Sequence, residues 1–175
     1  EEKTFMQDTQ TTTNILGVNI DCTYEDIPID RLNYLQRNPR VNTILHREKK
    51  KREGIELEHF IFKTMMKQPS VKNIYAEIER KKGLTHPVFV RQDTMEVVEG
   101  NSRLTVYKDL NGRHPQDEHW KKISCQIVAT LTDEQEDAYL YQEHVEGKTT
   151  WKTYEKAMLI YNAKASGCTL DELME

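Results

Sequence analysis

No apolar run in this chain of 175 residues approaches the roughly 20 that a membrane-spanning helix needs, and no signal-peptide pattern opens it. Cysteine is scarce. Cys22, Cys125 and Cys168 are odd in number, far apart and without CxxC spacing, so neither a zinc ribbon nor a redox pair is indicated and a reducing cytoplasm is expected. Histidines are equally dispersed, with only His114 and His119 close together; Pro115 and Asp117 between them mark a solvated loop, with a metal site as the alternative reading. An excess of positive charge is also absent. The formal net charge of −4 argues against a domain whose whole surface grips DNA.

What is present is a polar, globular composition, 37% hydrophobic and 31% charged, sized for one domain or one domain with an appendage. Such a chain buries roughly two-thirds of its unfolded surface. The basic residues are clustered: Arg37, Arg40, Arg47, Lys49, Lys50, Lys51 and Arg52 crowd one segment, and Lys81 and Lys82 follow. That run reads either as a phosphate-steering patch or as a solvated helix face or loop.

Along the chain, residues 1–14 read as a polar tail or cut end, with order beginning near Ile15. Short apolar alternations from Val18 to Ile29 predict one or two short strands, and Asn38-Pro39 predicts a turn. Leu57, Phe60, Ile61 and Met65, then Val71, Ile74, Tyr75 and Ile78, have helical spacing and predict two helices parted at Pro69-Ser70, the second capped by Gly83. Pro87 to Val90 and Met95 to Val98 read as a hairpin, Asn101 onward as a helix buried through Leu104, Val106, Tyr107 and Leu110, and Ile123 to Val128 as a strand. Thereafter the chain reads as helical, with capping boxes at Thr132/Gln135 and Thr169/Glu172 and a C-cap at Gly167. Between the boxes Trp151, Tyr154, Met158 and Tyr161 form a stripe with the period of a packed face.

The most informative stretch is Val98 to Leu104. Gly100, the backbone N–H groups of Asn101 and Ser102, and Arg103 stand together at the start of a helix, where an anion binds readily. The competing reading is a plain strand-to-helix turn, with Gly100 supplying an unusual backbone angle and Arg103 a surface ion pair.

Taken in order, Ile27 to Leu32, Asn38-Pro39-Arg40, Gly83 to Val90, Glu99 to Leu104, and Glu143-His144 with Glu155-Lys156-Ala157 resemble the motifs of the ParB and sulfiredoxin superfamily's N-terminal domain. The resemblance runs from about Ile27 to the end. It implies an α+β fold, a small mixed sheet flanked by helices over residues 15–130, with a helical extension over 131–175 leading into a helix-turn-helix region. It also implies a nucleoside triphosphate, CTP or ATP, bound with Mg²⁺. Gly100, Asn101, Ser102 and Arg103 would hold the phosphates, Gly83 and His86 would approach the base, and Glu143, with His144 as the weaker candidate, would hold the metal. Partners implied are DNA, through a region beyond Glu175, and a second copy of the chain.

The departures are informative. Partition proteins of this family carry two arginines in the phosphate motif, and this chain has Ser102 before Arg103. Sulfiredoxins place a reactive cysteine after the glycine; Asn101 stands here, which removes that chemistry. Glu99-Gly100-Asn101, together with Gly147-Lys148 and Trp151, resembles a less characterised branch of ParB-like proteins. Three functions are therefore weighed: a nucleotide-binding switch that regulates DNA binding or partition-type assembly, a metal-dependent nuclease or phosphohydrolase using Glu99, Glu143 and Glu146, and an interaction scaffold that has lost its ligand. A slow triphosphatase activity is left open.

Overall fold

The computed structural model describes residues 11–15, 17–46, 52–143, 157, 160, 161 and 164. Among the described residues six strands form one mixed sheet in the order β1-β2-β6-β4-β5-β3. These are β1 (Thr11–Ile15), β2 (Val18–Pro28), β3 (Asn33–Tyr34), β4 (Val88–Arg91), β5 (Glu96–Glu99) and β6 (Lys122–Val128). Among the described residues the sheet is accompanied by α1 (Pro39–His46), α2 (Gly54–Met65), α3 (Pro69–Lys81), α4 (Asn101–Arg113) and α5 (Asp133–Tyr141). This is the α+β class that the sequence implies.

Alternation along the strands divides the core into two layers. On one face Ile27, Val88, Val90, Val97, Ile123 and Cys125 pack against residues of α1 to α4, among them Val41, Ile61, Val71 and Leu104. On the other, Cys22, Phe89, Val98 and Val128 meet Ala138 and Leu140 of α5. The Phe89 ring stacks on Tyr139 with centroids 4.0 Å apart. The hairpin β4/β5 is antiparallel, and β4 runs parallel to β6. That parallel pairing carries the chain from β4 through β5 and α4 before it returns, which sets the start of α4 at one end of the sheet.

The predicted capping box of α5 is present in full: Gln135 N–H donates to Thr132 Oγ1 at 3.2 Å, and Thr132 N–H to Gln135 Oε1 at 3.0 Å. Four expectations need correction. The chain is already in a strand at Thr11, inside the predicted tail, because β1 pairs along its length with β2 and buries Ile15. Val18 to Pro28 form one long strand instead of short ones, paired with β6 from Cys22 through Pro28. Pro39 starts α1, since its fixed φ and missing N–H suit the first helical position. At the end of α3 the left-handed residue is Lys82 (φ 49°), one before the predicted cap; Gly83 N–H then bonds back to Ile78 O at 3.4 Å.

Residues 1–10, His144, Glu146 and the second capping box at Thr169 lie outside the described residues. So do Trp151, Tyr154 and Met158; Tyr161 from the same predicted stripe is 69% exposed, so it is no part of a packed core. Among the described residues no helix is long and apolar enough to cross a membrane.

Ionic contacts hold α5 to the sheet. Arg37 bridges Asp133 (2.7 Å) and Asp137 (3.0 Å), and Arg91 bridges Asp133 (3.3 Å) and Glu136 (3.1 Å). Glu136 is fully buried, and among the described residues its Oε1 has no hydrogen-bond donor, with Arg37 Nη1 4.0 Å away. Burial, opposed by Arg91 and Arg37, pushes its carboxyl up to about 7.

Candidate functional site

A cavity of about 730 Å³ opens between α3, the loop 83–87, the N-termini of α1 and α4, and the end of α5. Gly100, Asn101, Ser102, Arg103, Gly83, His86 and Glu143 all line it. Residues 60 positions apart in sequence thus meet in one place, and only His144 of the predicted site falls outside the described residues.

The floor is the turn from β5 into α4. Gly100 has φ +101°, a left-handed backbone that side-chain-bearing residues rarely adopt. A Cβ there would stand 2.7 Å from Val88 Cγ1 and 3.0 Å from Val88 Cβ, so the glycine is also required by close packing on β4. Among the described residues no side chain caps α4. Its first N–H groups, which a helix leaves without intrahelical partners, therefore belong to the cavity end of the helix. Asn101 is buried beneath this turn and donates from Nδ2 to Val97 O at 3.0 Å, while Thr105 Oγ1 donates to Asn101 O at 2.7 Å. These bonds fix the turn from below.

Ser102 is where the structure adds something that sequence reading missed. Arg40 Nη1 donates to Ser102 Oγ at 2.7 Å, so a guanidinium from the first turn of α1 stands beside the motif. Asn38 positions it. Its Oδ1 accepts from Arg40 N–H at 3.1 Å, and its Nδ2 donates to Val98 O at 3.0 Å, tying the start of α1 to β5 just ahead of Gly100. Both Asn38 and Arg40 line the cavity. The available signal was Asn followed by Pro, a helix-start pattern that sets Arg40 in a first turn.

Arg103 has a more structural part than a simple phosphate fork. Its Nη1 donates to His86 O at 2.6 Å and Pro87 O at 2.8 Å, and its Nη2 pairs with Glu99. It joins α4, β5 and the loop after α3, which fixes the guanidinium at the cavity wall before any ligand arrives. Gly83 differs from Gly100: a Cβ there would meet nothing within 4 Å, so any side chain at that position would take up open space at the cavity wall.

At the α5 end, partial desolvation and the neighbouring Glu99 carboxylate push the Glu143 carboxyl above its ordinary value, opposed by Arg103 and His86. Glu99 is paired with Arg103, which leaves the Glu143 carboxylate as the hard oxygen donor suited to a divalent cation such as Mg²⁺. Among the described residues no group of three or more His, Cys, Asp or Glu side chains is placed to hold a metal by itself. His114 and His119 belong to no such group.

No family model matches the chain, and no curated protein matches it. Its fold is similar to a solved structure described as the C2221 form of a Pnob8-like ParB-N domain, with a TM-score of 0.54 at 14% sequence identity. The match covers 85% of this chain and 47% of that one, so the chain spans about half the length of the structure it resembles. The chain adopts a ParB-N-like fold.

Proposed function

We propose that the cavity binds a nucleoside triphosphate, CTP or ATP, together with Mg²⁺, and that the domain uses this ligand to regulate DNA binding or partition-type assembly. The observation that carries the reading is the meeting of Arg40, Ser102 and the uncapped Gly100 turn. A hydroxyl, a guanidinium and unpartnered helix N–H groups are a phosphate's preferred ligands, here preorganised by Asn38 and Asn101. Arg40 supplies from α1 the second positive charge that the motif itself lacks.

Each remaining part has a role under this reading. The loop Gly83 to Pro87 and the wall from Ile74 and Ile78 receive the base, and Glu143 holds the Mg²⁺. The ion would neutralise charge on the phosphates, which matters because Glu77, Glu99 and Glu143 also face the cavity. Regulation follows from position: Glu143 lies just past α5, so ligand and metal bear directly on the helix that packs on the far face of the sheet.

A nuclease or phosphohydrolase needs convergent metal carboxylates. Of the three expected, Glu99 is committed to Arg103 and so is poorly placed to serve a metal. The binding reading therefore has the stronger support. A thermal-shift screen of the ribonucleoside triphosphates, with and without Mg²⁺, tests it. One nucleotide with Mg²⁺ should raise the melting temperature by several degrees at concentrations about 100 times its Kd. Failure of every nucleotide under both conditions would leave the cavity without this function.

A further inference from the structure

Tyr24, Gln126 and Phe89 form one register row across β2, β6 and β4, Tyr24 opposite Gln126 and Gln126 opposite Phe89. Paired residues in a sheet project to the same face. The row therefore faces α5, where Phe89 already stacks on Tyr139. Gln126 Nε2 donates to Cys22 Sγ at 3.4 Å, which anchors the amide against β2. Tyr24 is 52% exposed although it sits on a central stretch of a long strand. Tyr24, Gln126 and Tyr139 line the same cavity as Gly100 to Arg103.

The cavity thus has two walls in different layers of the fold. One is the loop Gly83 to Pro87 with α3, on the face that α1 to α4 cover; the other is the Tyr24 and Gln126 row, on the α5 face. The turn into α4 lies at the sheet end between them. An exposed aromatic ring on a rigid strand beside an amide offers a stacking surface and hydrogen-bonding groups, the combination that receives a nucleobase.

We propose that the cavity takes a ligand with two bases joined through phosphate. The phosphate rests on Arg40 and the Gly100 turn, one base lies at the Gly83 loop, and the second stacks on Tyr24 beside Gln126. That chemistry belongs to a dinucleotide, free or at the end of a nucleic-acid strand. The proposal rests on the nucleotide reading above and extends it to the ligand's second half.

Calorimetric titration of the chain in Mg²⁺ separates the two. The probes are 5′-phosphorylated mononucleotides, the matching 5′-phosphorylated dinucleotides and a 5′-phosphorylated single-stranded ten-mer. The dinucleotide should bind about tenfold more tightly than its mononucleotide, the worth of one base stack. Tyr24→Ala should remove that gain and leave mononucleotide affinity in place, and Tyr24→Phe, which keeps the ring, should retain it. A ten-mer that binds more tightly than the dinucleotide identifies a strand end as the source; an equal or weaker ten-mer identifies the free dinucleotide. Equal affinities for mono- and dinucleotide, or equal losses for both in Tyr24→Ala, overturn the second-base site while nucleotide binding stands. No binding by any probe overturns the second-base site, while the triphosphate reading is decided separately by the thermal-shift screen.

Discussion

Arg40 and Ser102, 62 positions apart, share a 2.7 Å hydrogen bond at the mouth of α4. A positive charge absent from the Gly100 to Arg103 segment is thereby brought to it by another helix. Charge at a phosphate site can be supplied from any element whose geometry reaches it, so exchanging the donor should preserve binding. Arg40→Ala should weaken nucleotide binding, and the double variant Arg40→Ala, Ser102→Arg should recover much of the loss. A fluorescence or calorimetric Kd for each variant checks this; a double variant no better than Arg40→Ala would place the Arg40 effect outside phosphate contact.

Gly100→Ala should destabilise the fold by about 2 kcal/mol or more, from a strained positive φ together with overlap on Val88. Denaturant unfolding measures it. Gly83→Ala, with open space around its Cβ, should leave stability nearly unchanged and show its effect in ligand affinity.

Arg103 ties three elements together, so its removal should be felt in the free protein. Arg103→Ala should speed amide hydrogen exchange in the loop 84–88 and at Glu99, and Arg103→Lys should rescue only part, since an ammonium cannot reproduce the two-sided fork. Unchanged exchange in the loop would assign Arg103 to ligand contact alone.

Glu136 gives the chain a pH dependence of definite sign. Its carboxyl is held at about 7 against an ordinary 4.5, so the folded state binds the proton more tightly than the unfolded state does. The contribution is fully present below about pH 4.5 and is lost as pH rises through about 7. The loss amounts to up to about 3 kcal/mol. Glu136→Gln should flatten stability across that window and make the protein more stable than the native chain above it. Urea unfolding midpoints across the window measure the difference; parallel curves for the two proteins would refute it.

Local signals explain what could be read in advance. The Thr132/Gln135 box, the β4/β5 hairpin and the start of α4 depend on neighbouring residues, and each appears where capping, alternation or glycine placed it. β1 escaped notice because an edge strand of threonines buries little besides Ile15 and reads as polar. Arg37 and Arg40 looked like members of one basic run. In the fold they part: Arg37 reaches the acidic side of α5 and Arg40 reaches Ser102. That division is set by sheet order and helix docking, contacts between residues far apart in sequence that no local pattern records. The cavity residues from Gly83 to Glu143 were found as separate motifs, and the resemblance supplied their grouping.

The most direct measurement is a calorimetric titration of the native chain and of Arg40→Ala with the nucleotide selected by the thermal-shift screen, in the presence of Mg²⁺. A saturable, Mg²⁺-dependent binding heat for the native chain is expected, with affinity lowered about tenfold or more in Arg40→Ala, the worth of a charge-assisted hydrogen bond. Equal affinity in the two proteins, or no binding heat in the native chain, would contradict a phosphate cradle built from α1 and the turn into α4.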